Sequence, residues 1–174
     1  MSNSWAKGFI EKAVDQGIIK GYPDGTFKPN NHLTRVQAAA LLVRALDLKS
    51  DETAPFADID GYSAVTKAEI NAAYKFNIVK GQGGKFKPEE QVTRAQLALM
   101  IHRAYDYKIG KKYIPSKKAP YTDFGNYDAE TVAAISMLHE LGIATGAEGK
   151  FSPSNPATRA AAAKILVNFM GNVK

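Results

Sequence analysis

Gly21-Tyr22-Pro23-Asp24-Gly25-Thr26-Phe27-Lys28-Pro29 is followed, after a short connection, by Leu33-Thr34-Arg35-Val36-Gln37. The same order returns twice. Gly81-Gln82-Gly83-Gly84-Lys85-Phe86-Lys87-Pro88 precedes Val92-Thr93-Arg94-Ala95-Gln96, and Gly146-Ala147-Glu148-Gly149-Lys150-Phe151-Ser152-Pro153 precedes Ala157-Thr158-Arg159-Ala160-Ala161. Seven positions separate Phe from Thr in every copy, whereas the interval from Arg35 to Arg94 is shorter than that from Arg94 to Arg159. The inner spacing is fixed and the linkers are elastic. A unit repeated in this way is one supersecondary element that needs its neighbours to complete a core.

Upstream of each glycine lies a helical pattern carrying Ile10, Ile70 or Ile135, each eleven residues before the aligned glycine of its copy. Downstream, Thr ahead of an apolar-periodic run is a helix start, and Thr34-x-x-Gln37 and Thr93-x-x-Gln96 read as capping boxes. Leu33 with Ala38, and Val92 with Leu97, occupy the positions of a hydrophobic staple. Ala161 stands where the third copy would need the reciprocal Gln, so its cap is expected to be the weakest. Each copy therefore reads helix, Gly-rich loop, helix.

Val36/Ala95/Ala160, Ala39/Ala98/Ala163, Leu42/Ile101/Leu166 and Leu46/Tyr105/Met170 align as one apolar stripe on the second helices. The alanine layer lets three helices approach closely. The expected architecture is all-α, with three helix-loop-helix repeats in a pseudo-threefold arrangement around a central three-helix bundle. A linear solenoid is the alternative, but it needs polar-faced end caps that the sequence does not show. The repeats are expected over 1–50, 51–115 and 116–174. Asp47 to Pro55 and Tyr107 to Pro120 read as linkers, the second, with Lys108, Lys111, Lys112, Lys117 and Lys118, a solvated basic loop in preference to a dedicated binding segment.

The chain has 174 residues, 45% of them hydrophobic, which suffices for a real core. It has no cysteine, which excludes a disulfide scaffold, a zinc-thiolate or iron-sulfur site and a cysteine nucleophile. Apolar runs such as Ala38 to Val43 fall far short of the roughly 20 residues that cross a bilayer. The segment Met1-Ser2-Asn3-Ser4-Trp5 lacks a basic stretch followed by an apolar one, so no secretion signal is expected in this chain. The net charge of +6 suits a polyanion without choosing among nucleic acid, acidic lipid and acidic polysaccharide. His32, His102 and His139 fall at unrelated repeat positions without metal-ligand spacing, and His102, aligned with Val43 and Val167, reads as a core residue. No P-loop, nucleophile elbow or paired-carboxylate signature is present, so neither catalysis nor a cofactor or metal is expected.

Arg35, Arg94 and Arg159 each occupy the first helical position, where the helix dipole disfavours a cation. Three such placements have two compatible explanations. The arginine, free first-turn amides and dipole would together bind a carboxylate or phosphate. Alternatively, each arginine would pair with an aspartate such as Asp24, Asp58 or Asp123 and hold the loop to the helix. Asp58 and Asp123, at matching positions, otherwise suggest helix starts. Phe27, Phe86 and Phe151 read as core plugs beneath the loops.

The thrice-repeated G-(Y)-x-D-G-x-F-x-P loop followed by a T-R-A-E-like helix start resembles the S-layer homology domain, a cell-wall anchoring module of bacterial surface proteins. The resemblance covers nearly the whole chain; Ser4-Trp5-Ala6 is similar to the family's first helix start, without the F-x-D lead-in found at Phe56-Ala57-Asp58. It implies an extracellular, wall-bound protein fused to a larger surface protein, non-catalytic, with grooves between repeats for secondary cell-wall polysaccharide ending in pyruvylated N-acetylmannosamine. Arg35, Arg94 and Arg159 would then meet the ketal carboxylate, and Gly21, Gly81 and Gly146 would admit the sugar. Gln37 and Gln96 replace the family's Glu, and Ala161 departs altogether. Lys20 and Lys80 give way to Thr145 in the third copy, which counts against the groove built around the third motif. Trp5 and Tyr22 are open equally to packing and to covering a sugar face, while Tyr62 and Tyr127 read as packing. A basic nucleic-acid-binding module and a surface-lattice self-association module are the other readings.

Overall fold

The computed structural model describes residues 4–173; the sequence reading of Met1 to Asn3 lies outside the described residues. Six helices follow one another: α1 (Ser4–Asp15), α2 (Arg35–Ala45), α3 (Ala64–Lys75), α4 (Arg94–Ile109), α5 (Ala129–Glu140) and α6 (Arg159–Asn172). The fold is all-α and the copies are related as the repeats predict.

The inner helices α2, α4 and α6 start where the threonines dictate. Thr34 and Thr93 form complete capping boxes, with Gln37 and Gln96 returning a bond to the Thr amide. Thr158 accepts only from the Ala161 amide at 3.1 Å, so its cap is half made. Ala39, Ala98 and Ala163 are fully buried. The amino-terminal ends of these helices meet in a closed cycle: Leu33 N–H donates to Ala157 C=O, Ala157 N–H to Val92 C=O, and Val92 N–H to Leu33 C=O, each at 2.9 Å. Each member of the cycle serves as donor and acceptor, which satisfies buried backbone groups on the pseudo-threefold axis.

The helices pair across copies. Helix α2 packs on α3, α4 on α5, and α6 back on α1, whereas the two helices of one copy form no comparable contact. Closure of α6 on α1 makes a ring and rules out the solenoid. Consecutive repeats are thus interlocked, each lending its second helix to the first helix of the next. A single cluster of buried residues runs through all six helices, with Phe86, Phe124, Phe151 and Phe169 among its largest members. Phe86 and Phe151 plug the core as expected, while Phe27 is only half-buried.

Asp58 and Asp123 do not start helices. Ser63 and Asp128 cap α3 and α5. Asp58 instead accepts from the amides of Phe86 and Lys87 at 2.9 and 2.8 Å, and Asp123 from those of Phe151 and Ser152 at 3.0 and 2.8 Å. Lys87 and Ser152 lie at φ 59° and 58°, so each carboxylate clamps a loop in a conformation that side chains resist. The basic linker is fastened to α5 through Tyr113 and Ser116 on Glu140, and its Lys111, Lys112, Lys117 and Lys118 are exposed. His102 is buried, its Nε2 at 3.0 Å from the Tyr113 carbonyl.

Candidate functional site

Interlocking places each helix-start arginine against the loop of the following copy. Arg35 Nε donates to Phe86 C=O at 2.9 Å and Nη2 to Lys80 C=O at 3.2 Å. Arg94 Nε donates to Phe151 C=O at 2.8 Å. Arg159 closes the ring onto the first loop, Nε to Phe27 C=O at 2.9 Å and Nη2 to Lys20 C=O at 2.7 Å. The guanidinium carbons lie 5.1, 4.7 and 4.6 Å from the ring centroids of Phe86, Phe151 and Phe27. Arginine is suited to this double role because its planar fork both donates in plane and stacks on aromatic faces.

Two expectations change. Among the described residues none of the three arginines pairs with Asp24, Asp58 or Asp123, because the carbonyls at the loop's end occupy Nε. Nor are the first-turn amides free: Arg35, Arg94 and Arg159 N–H donate to Glu90, Asn155 and Asn31, and Val36, Ala95 and Ala160 N–H to Pro88, Pro153 and Pro29. The prolines that end each loop therefore cap the preceding copy's inner helix. What remains for an anion is the guanidinium. Burial pushes the pKa of all three arginines down from the ordinary value; charges of Glu90 and Asp58 oppose this at Arg35, and Tyr121 and Asp123 at Arg94. A partly desolvated cation without a carboxylate partner is a favourable place for an anion.

Three grooves result, each bounded by an inner helix, the outer helix packed on it, a loop and the arginine of the preceding copy. The α2 groove brings together Arg159, Lys20, Gln37 and Tyr62 in about 230 Å³. Here Tyr22 covers the arginine, its centroid 4.8 Å from the guanidinium carbon, and Arg159 is only 7% exposed. Arg44 and Glu69 close the far end as an ion pair, Nη2 donating to Oε1 at 3.0 Å and Nε standing 2.8 Å from Oε2. In the α4 groove Arg35 lies beside Lys80, and Arg103 pairs with Glu130 at 2.9 Å. Lys80 and Arg103 lower the Glu130 pKa, the hydrogen bond from Arg103 contributing most. The α6 groove, around Arg94, Thr145, Gly146, Ala161, Lys164 and Trp5, holds about 510 Å³, more than twice the α2 groove.

The glycines serve the loops first. A Cβ on Gly81 would meet the Phe56 ring and, at 2.7 Å, Lys85 C=O; one on Gly146 would meet Lys150 C=O and, at 2.7 Å, the Tyr121 ring. Gly21 is less confined, its nearest neighbour Thr26 C=O at 3.2 Å. Gln37 and Gln96 spend their carbonyl oxygens on the caps. Sequence reasoning missed Lys164, which no motif marks; its Nζ lies 5.7 Å from the Trp5 ring centroid. Among the described residues no cluster could hold a metal and no helix is long and apolar enough to cross a membrane.

The sequence matches the S-layer homology domain three times, over residues 1–39, 55–98 and 120–163. The chain is similar to S-layer protein EA1 of Bacillus anthracis, 35% identical over 163 residues, covering 93% of this chain and 18% of that protein. It is 34% identical over 163 residues to an S-layer protein of Bacillus licheniformis, again 93% of this chain and 18% of the relative. An endoglucanase of Bacillus sp. (strain KSM-635) is 32% identical over 173 residues, 98% of this chain and 18% of the enzyme. The chain thus spans less than a fifth of the length of these relatives. Thrice-matched over most of its length, and folded as three interlocked copies with an arginine seated on each following loop, the chain belongs to the S-layer homology domain family.

Proposed function

We propose that this chain anchors a larger surface protein to the bacterial cell wall by binding an acidic secondary wall polysaccharide, without catalysis. S-layer homology domains anchor surface proteins to the wall. Enzymes and S-layer proteins alike carry the matching stretch as a small part of their length, which suits a module that holds while other domains act. The ligand is a terminal N-acetylmannosamine bearing a 4,6-linked pyruvate ketal, and its location is outside the cell. The observation that carries this reading is the recurrent guanidinium, held at Nε by a loop carbonyl and, among the described residues, left without a carboxylate partner. A ketal carboxylate supplies that partner, and an adjacent ring face suits the aromatic side chains nearby. Several grooves on one repeating polymer would add avidity where geometry permits joint engagement.

Sedimentation with purified wall sacculi tests the reading. The parent chain is expected to co-sediment with native sacculi and to stay in solution when mild acid has removed the ketal. Arg35→Ala with Arg94→Ala, with helical content checked by circular dichroism, is expected to lose most of the binding. Binding by that double variant equal to the parent's would remove the arginines from the site. Equal binding to ketal-free sacculi would remove the ketal.

A further inference from the structure

The three grooves share a plan but differ in lining. Thr145 stands where the other two have Lys20 and Lys80, Ala147 where they have Tyr22 and Gln82, and Ala161 where they have Gln37 and Gln96. Each exchange shortens a side chain beside the α6 groove. Its volume of about 510 Å³ falls within the range of ordinary ligand pockets, roughly 300–1,000 Å³, and the 230 Å³ of the α2 groove does not.

Charge differs as well. Arg44–Glu69 and Arg103–Glu130 bind α2 to α3 and α4 to α5. On α6 the aligned residue is Asn168, and no such pair joins α6 to α1 among the described residues. Lys164 replaces Ala40 and Leu99, and its Nζ stands 5.7 Å from the ring centroids of both Trp5 and Phe9. Among the described residues no Asp or Glu lines this groove. Asp123, whose charge reaches Arg94, has both oxygens engaged by loop amides. Arg94 also differs from Arg35 and Arg159 in making no Nη bond to the carbonyl before the loop glycine, so its fork is open to the groove.

Trp5 is 51% exposed and also borders a second cavity of about 530 Å³, lined by Gly8, Lys12, Gly142, Asn168 and Gly171 among others, with no acidic side chain among the described residues. A half-exposed indole between two cavities is a stacking platform for a sugar chain that runs through both.

We propose that the α6 groove is the chain's main acidic-glycan site: Arg94 and Lys164 hold the carboxylate of the terminal sugar, Trp5 stacks on it, and the trough beyond Trp5 seats the next sugar. This rests on the wall-polysaccharide reading above and assigns it to one groove. Tyr22 and the Glu69 and Glu130 pairs leave the other two grooves partly closed and self-neutralised.

Trp5 is the one tryptophan in the sequence, so its emission reports this groove and the cavity beside it and not the α2 or α4 groove. The whole chain is titrated with the methyl glycoside of the pyruvylated N-acetylmannosamine and with a longer wall-glycan fragment, followed by calorimetry and Trp5 fluorescence. Both methods should give the same midpoint. Lys164→Ala should weaken binding about tenfold, as for the loss of one charge-assisted bond, while Arg103→Asn in the α4 groove should change it less than about twofold. Gly8→Leu fills the trough at a position where an added Cβ meets nothing within 4 Å. It should abolish the extra affinity of the longer fragment and leave the monosaccharide's unchanged. Heat of binding with unaltered Trp5 emission and an unaffected Lys164→Ala variant overturns the assignment while the wall-polysaccharide reading stands. No advantage of the longer fragment in the parent overturns the trough. A parent that binds neither glycan nor sacculi fails the earlier reading, and this inference with it.

Discussion

Arg94 and Phe151 are joined twice, by an Nε bond of 2.8 Å to the Phe151 carbonyl and by a guanidinium 4.7 Å from the centroid of its ring. The same double attachment fixes Arg35 to Phe86 and Arg159 to Phe27. A residue of one repeat is thereby part of the structure of the next, and the arginines stabilise the fold as well as any complex.

The three arginines should differ in structural weight. Arg159 is enclosed between Tyr22 and Phe27 and donates to two carbonyls, so Arg159→Ala leaves both without that partner. It is expected to cost about 2 kcal/mol and lower Tm by about 4–8 °C, against about 1 kcal/mol for Arg94→Ala. Thermal melts of the two variants check the order, and equal shifts would contradict it.

Ala161→Gln should complete the third capping box that Thr158 only half makes. A gain of about 0.5–1 kcal/mol is expected, seen as a rise in urea midpoint without a change in slope. The longer side chain also enters the α6 groove, and the same variant is expected to bind glycan more weakly. Stability and binding would move in opposite directions.

Substitution of the loop glycines by alanine should follow the space around them. Gly146 combines φ 65° with carbonyl and Tyr121 contacts, so Gly146→Ala should cost about 2–4 kcal/mol. Gly81→Ala meets Lys85 C=O and the Phe56 ring and should be comparably damaging. Gly21→Ala, with one contact at 3.2 Å, should cost about 1 kcal/mol or less. Denaturant titrations of the three variants give the ranking directly.

Acid should loosen the loops through Asp58 and Asp123. Burial pushes both carboxyls up, but two backbone amides on each outweigh it and hold them below the usual 3.8. A folded pKa below the unfolded one gives stability that is present above the unfolded value and lost as pH falls through the folded one. The parent should therefore lose stability below about pH 4. Asp58→Asn with Asp123→Asn should start less stable at neutral pH and show a shallower decline in that window, as followed by urea midpoints against pH.

Much of this fold is written locally. Threonine caps, glutamine returns and alanine stripes depend on neighbours in sequence, and they mark α2, α4 and α6 to the residue. Pairing across copies is not written there, because three similar copies offer each outer helix the same apolar stripe whichever partner it takes. The ring appears only with the Leu33–Val92–Ala157 cycle. For the same reason the arginines were legible as a set, while the prolines that consume the helix-start amides were not, since Pro88, Pro153 and Pro29 belong to other copies. Lys164 was silent in sequence because its meaning depends on α1, the far end of the chain, folding back beside it.

That return of α6 to α1 has a mechanical consequence. Helices α1 and α6 pack on each other, so a pull on either helix is borne by the same seam. Among the described residues the seam has no counterpart of the Arg–Glu bolt that fastens α2 to α3 and α4 to α5. It also forms a wall of the α6 groove. A glycan strand lodged against Trp5 and Lys164 would lie across the joint that carries the load, and so brace it against being pulled open.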